Sequence, residues 1–167
     1  MSCLGVHFAL TEAQASQLQG FDSDSDRLAF LQEEIEETIF DESPELAGES
    51  DKAWDAIHRC LTDGKLAYDN GEFPLSHVIL GGAPLYYQGD YIMSLKNPEE
   101  VGKISAALTD VTEQWLRERY FKIPEQDYGV PLSDEDFQYT WEWLSKIKVL
   151  YAKAAEKGAY VLFSVDQ

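Results

Sequence analysis

Along the chain, the apolar positions change period several times. Leu4 to Leu10 reads as a strand, and Thr11 with Gln14 three residues later is a capping box opening a short helix. After the turn Asp22-Ser23-Asp24-Ser25, Leu28, Leu31, Ile35 and Ile39 recur at helical spacing with acids between them. Asp41 to Ser50 carries Pro44 and Gly48 and reads as a loop. A third helix is expected from about Asp51 to Leu61, with Trp54, Ile57, His58 and Leu61 on one face and a stop near Asp63-Gly64.

The middle of the chain is less regular. Pro74 to Leu80 fits a short helix or a strand, and Gly81-Gly82 and Pro84 break it. Tyr86 to Leu95 is strand-like but interrupted at Gly89-Asp90. Asn97-Pro98-Glu99-Glu100 combines a cap, a first-turn proline and first-turn acids, which predicts a helix running to about Phe121 with a break near Thr109-Asp110. Pro124 to Pro131 is a loop. Ser133 opens the last helix, Gly158 closes it, and Ala159 to Val165 alternates as a terminal strand. The elements predict an α+β fold: one domain over residues 1–167, with a small mixed or antiparallel sheet covered by several helices, and a long C-terminal helix followed by a strand.

Charge changes this picture most. The 31 acidic residues outnumber the 13 basic ones for a net charge of −18. Such a surface repels phosphate backbones and anionic membranes, so neither nucleic acid nor membrane is an expected partner, and a basic protein is. Between Asp22 and Asp51 stand twelve acids and one base, Arg27. Glu33, Glu34, Glu36, Glu37, Asp41 and Glu42 form the dense part of that belt. They fit either a solvated face or a docking face. Met1-Ser2-Cys3-Leu4 lacks a signal-peptide pattern, and Cys3 and Cys60 make a poor disulfide framework, so reduced thiols in a cytoplasm are expected.

Several local patterns resemble the YfbM-like family of small uncharacterised bacterial proteins. They are Gly5 in the first strand, Lys52-Ala53-Trp54-Asp55-Ala56-Ile57-His58, Pro74-Leu75 leading to Leu80-Gly81-Gly82, and Gly89-Asp90-Tyr91-Ile92 before Asn97-Pro98-Glu99-Glu100-Val101. The resemblance implies one α+β domain in a bacterial cytoplasm and transfers no catalytic residue.

Chemistry-bearing patterns are few. Asp55 and His58, three apart on a helix beside Trp54, are placed to meet and could form half of a general-base pair in a pocket. The nucleophile half has no G-x-S-x-G signature. The spacings of His7, His58, His77, Cys3 and Cys60 fit no metal motif, and with neither a G-x-G-x-x-G nor a Walker loop no cofactor is implied. In the last helix a second apolar stripe, Tyr139, Trp143 and Leu150, lies beside the main one. That width means either a helix packed between layers or a Tyr139–Trp143 shoulder that binds a partner or a second copy. A non-catalytic acidic protein-binding module, of the immunity type that inhibits a basic toxin or enzyme, is the leading expectation. An enzyme or small-ligand pocket at Trp54, Asp55 and His58 is the alternative, and a self-associating housekeeping protein the third.

Overall fold

Residues 3–167 are described in the computed structural model. Strands β1 (Gly5–Leu10), β2 (Ala47–Asp51), β3 (Ala83–Pro84), β4 (Tyr91–Lys96) and β5 (Tyr160–Asp166) form one antiparallel sheet in the order β2-β1-β5-β4-β3. β5 at the centre joins the N-terminal and middle portions of the chain, pairing Val6 with Ser164 on one side and Met93 with Ser164 on the other. The protein is therefore α+β, as the pattern of elements predicts.

Strand alternation divides the core into two layers. Phe8, Leu10, Leu162, Met93 and Leu95 point to one face. They meet Ala15 and Leu18 of α1 (Glu12–Gly20) and the stripe Leu31, Ile35 and Ile39. That stripe belongs to a continuous helical segment made of α2 (Asp24–Phe30), a π-helical stretch (Leu31–Glu36) and α3 (Glu37–Glu42). Ala9, Val161, Phe163, Val165 and Ile92 point to the other face. There they meet α4 (Trp54–Leu61), α5 (Pro98–Thr109), α6 (Glu113–Tyr120) and α8 (Asp134–Lys157). Helices thus cover both faces, and among the described residues only the two outer strand edges lack a neighbouring strand.

Local signals place most of the helix ends. Thr11 with Gln14 and Asn97 with Glu100 both form complete capping boxes, Ser133 caps α8 at Asp136 N, and Gly158 ends α8 at φ 61. The expected break in the middle helix is the gap between α5 and α6. Within the Pro124–Pro131 loop a four-residue helix, α7 (Glu125–Tyr128), forms and ends at Gly129 with φ 77.

Three expectations need correction. The segment read as a loop up to Ser50 contains strand β2, whose residues Ala-Gly-Glu-Ser-Asp carry no β-branched or aromatic signal. Its pairing with β1 and coverage by α8 override propensity. Tyr86 to Gln88 lies outside the strand, which starts only at Tyr91. Pro74 to Leu80 is a 3-10 turn (Leu75–His77) followed by further turns, and it is buried from Val78 to Leu80 without regular structure.

Candidate functional site

The acidic belt takes its geometry from the α2–α3 segment. With Leu31, Ile35 and Ile39 turned to the sheet, Glu33, Glu34, Glu37, Asp41 and Glu42 emerge exposed on the solvent side. Glu36 departs from that face. It borders the apolar stripe and is half-buried against Tyr91 and Asp166, and burial pushes its pKa above the ordinary carboxylate value. Among the described residues the only belt acid in a salt bridge is Asp24, with Arg27 at 3.2 Å.

The single base of the belt is taken out of the surface. Arg27 is 8% exposed and donates from Nε to Leu18 O at 2.8 Å, from Nη1 to Leu85 O at 2.8 Å, and from Nη2 to Phe21 O. Its guanidinium fork ties the end of α1 to the segment before β4. Apart from Asp24, no acid of the belt has a salt-bridge partner among the described residues.

That acidic face ends at the free edge of β2. Here Phe40 and Pro44 from the α3 side, and Lys146 and Val149 from α8, flank Ala47, Gly48 and Glu49 in a groove of about 430 Å³. Phe40 is 42% and Val149 55% exposed, so apolar surface stands open on both banks. Glu37 lies one turn before Phe40 by helical spacing, Asp41 follows it, and Glu45 and Glu49 are exposed beside β2. Lys146 of the α8 bank sets its Nζ 3.9 Å from the ring centre of Trp143, which is partly buried one turn earlier on α8.

Tyr139 has a more structural place than an open anchor would. It is half-buried, and its hydroxyl donates to Asp51 Oδ1 at 2.6 Å and accepts from Lys52 N at 3.1 Å. Burial and the Asp51 carboxylate push the phenol up to about 12. Asp51 itself sits at φ 48, in the left-handed region that Asp tolerates better than most residues. Its carboxylate also accepts Lys52 N at 2.7 Å, which secures the turn out of β2. Tyr139 thus braces the end of β2.

The Trp54, Asp55 and His58 set is brought together in sequence but not in chemistry. Trp54 is 7% exposed, and its Nε1 donates to Cys3 O at 3.0 Å. Asp55 turns to Arg59 at 2.6 Å rather than to His58, and Arg59 in turn holds Asp127 at 2.7 Å. The His58 ring is 1% exposed and donates from Nε2 to Asn70 Oδ1 at 2.8 Å. Burial lowers its pKa, against the Asn70 hydrogen bond. The same Asn70 amide donates to Asp63 Oδ1 at 2.6 Å and Lys65 O at 2.8 Å, so this cluster folds the loop after α4. The expected Asp–His pair is therefore corrected to two separate tethers, because the i, i+4 reach to Arg59 offers Asp55 a charged partner. None of the three residues lines the groove at the β2 edge.

A second polar cluster was not legible in the residue pattern. His7, Lys96 and Tyr151 are all fully buried on the α8 side of the sheet. Lys96 Nζ donates to Ile79 O at 2.6 Å. His7 Nε2 and the Tyr151 hydroxyl both donate to Val78 O at 2.7 Å. Ser94 Oγ stands 2.9 Å from both the Leu80 and the Gly81 carbonyls. These groups satisfy the buried carbonyls of the irregular 78–81 segment, which no strand or helix could. Burial holds His7 down at about 3 and Lys96 well below the ordinary lysine value. The only available signal was the appearance of a lysine at the end of an otherwise apolar strand. No cluster of three or more His, Cys, Asp or Glu among the described residues is placed to hold a metal ion, and no helix among them is long and apolar enough to cross a membrane.

Two helical layers around a five-stranded antiparallel sheet, with the site on an outer edge, place the molecule in a recognised class. The chain belongs to the family described as "Domain of unknown function (DUF1877)", whose profile matches residues 1–164. A solved structure with the same fold is that of YfbM from Escherichia coli, a protein of unknown function. It shares 23% identity over 97% of this chain and 99% of its own, with a TM-score of 0.63. A search of curated proteins finds no match.

Proposed function

We propose that this domain is a non-catalytic protein-binding module for a basic partner, of the immunity type that neutralises a toxin or enzyme by covering it. One observation carries the reading. Glu49 and two exposed apolar side chains, Phe40 and Val149, line a single groove at the β2 edge, and the exposed acids of α3 adjoin its Phe40 side. A merely solvated acidic surface requires no such juxtaposition of open apolar and acidic groups. The acids steer a basic partner toward the groove, while Phe40 and Val149 supply the apolar contact that holds it.

The test is a comparison of two baits in the native lysate. One is the natural protein, and the other carries Glu37→Lys, Asp41→Lys and Glu49→Lys, all at exposed positions where folding is little affected. The natural bait should retain a basic protein near 1:1 at low salt and lose much of it at high salt, since ~0.1 M salt screens exposed charges beyond about 10 Å. The reversed bait should retain none of it. Recovery of the same proteins on both baits, or of neither bait's partner at any salt, refutes the proposal.

A further inference from the structure

Resting on that reading, we infer that the partner is held as an added strand. An extended segment of a basic protein pairs with the free edge of β2, alternate side chains falling on the two banks of the groove.

The two outer edges of the sheet are built differently. β3 is two residues long, and one of them is Pro84, which has no backbone donor. Shortness and proline are common ways of blocking an edge against pairing. β2 spans Ala47–Asp51 with no proline, and no strand pairs with its outer side among the described residues. A bulge opposite Gly5–Val6, the bond from Ala53 N to Ser50 O and Asp51 at φ 48 confine its regular edge to Ala47–Glu49. An unpaired strand edge presents a ladder of main-chain donors and acceptors to any extended peptide that reaches it.

The groove has the shape such a peptide requires. Its banks come from opposite helical layers, Phe40 and Pro44 on one and Lys146 and Val149 on the other, and β2 runs between them. Side chains of an added strand alternate between the two faces of the sheet, so successive residues would meet the two banks in turn. Gly48 keeps the floor low. A Cβ there would stand 2.9 Å from Leu150 Cβ and Cδ2, so only glycine lets β2 lie this close to α8.

Charge selects the occupant. Glu45 and Glu49 are exposed at β2, and Glu37 and Asp41 are exposed on the helix that carries Phe40, against one cation in the groove lining, Lys146, which is drawn over the Trp143 ring. A second copy of this chain, net charge −18, would set Glu45 and Glu49 against like charges across a two-fold axis. A partner strand carrying Lys or Arg on the α3 side and apolar residues on the α8 side meets opposite charge and open apolar surface instead.

The probe is a capped hexapeptide of alternating lysine and valine, compared with the same peptide methylated on its two central backbone nitrogens, one on each strand edge. Methylation preserves charge and side chains but removes the ladder. The parent peptide should bind the full protein, as read by fluorescence anisotropy, and slow deuterium exchange at the amides of residues 47–51. The methylated peptide should bind at least 10-fold more weakly, and so should the parent to a Glu45→Lys, Glu49→Lys protein. Equal binding of the two peptides, protection elsewhere than β2, no binding at all, or a dimer by light scattering that loses protection of β2 on dilution would each overturn strand addition. A lysate partner that is lost on charge reversal but leaves β2 exchange unchanged would overturn this inference alone. The binding function would then stand.

Discussion

Replacing Arg27 by methionine is expected to cost the protein a large part of its stability. Arg27 donates to three main-chain carbonyls, of which Leu18 O and Leu85 O are bonded in buried surroundings and Phe21 O in partly buried ones. Methionine matches the length of the aliphatic stem but donates nothing. A buried carbonyl left without a partner costs about 1–3 kcal/mol, and the two buried ones dominate because water can reach the third. The expected loss is therefore about 4 kcal/mol, against total stabilities of roughly 5–15 kcal/mol for a domain. Arg27→Lys should recover less than half of that. A single ammonium cannot span Leu18, Phe21 and Leu85 as the planar fork does. Urea denaturation followed by tryptophan fluorescence measures both variants. A loss below about 1 kcal/mol for methionine, or full rescue by lysine, would refute the assignment of Arg27 as a fork for buried carbonyls. It would equally undo the argument that the belt's only base is absent from its surface.

Two further outcomes follow from the core. Gly48→Ala drives a Cβ to 2.9 Å from Leu150 and should destabilise by about 1–3 kcal/mol. Leu150→Ala in the same chain should relieve part of that cost, so a double-mutant cycle in thermal denaturation should show a favourable coupling, and strict additivity would count against the packing argument. His7 has a folded pKa of about 3 against 6.5 for the free ring, so the unfolded chain binds the additional proton between those values. Its contribution is fully present above pH 6.5 and is lost progressively as pH falls toward 3, with a slope of up to about 1.4 kcal/mol per pH unit. His7→Phe should flatten the fall of the urea midpoint between pH 6 and pH 4, and an unchanged slope would refute burial of a neutral ring.

The sequence alone settled whatever depends on neighbours along the chain. Capping residues at Thr11, Asn97 and Ser133, the stop at Gly158, and the periods of β1, α8 and β5 are local chemistry, and each is found where the pattern places it. The exposure of Glu33, Glu37 and Asp41 was also legible, since helical spacing puts them away from Leu31, Ile35 and Ile39, whereas Glu42 is exposed although i, i+3 spacing sets it beside Ile39. Tertiary structure decided what depends on partners far away in the chain. Ala47–Asp51 becomes a strand because β1 pairs with it and Leu150 packs on Gly48, neither of which leaves a trace in five small and polar residues. Asp55 chose Arg59 over His58, and Asn70 took His58, through geometry that spacing permits but does not specify. Lys96, unremarkable at a strand end, is buried because the carbonyl of Ile79, 17 positions earlier, offers it a partner in place of water. The groove belongs to the same category. Its banks come from segments some hundred residues apart, and only folding both helical layers onto one sheet sets Phe40 and Val149 on either side of a free strand edge.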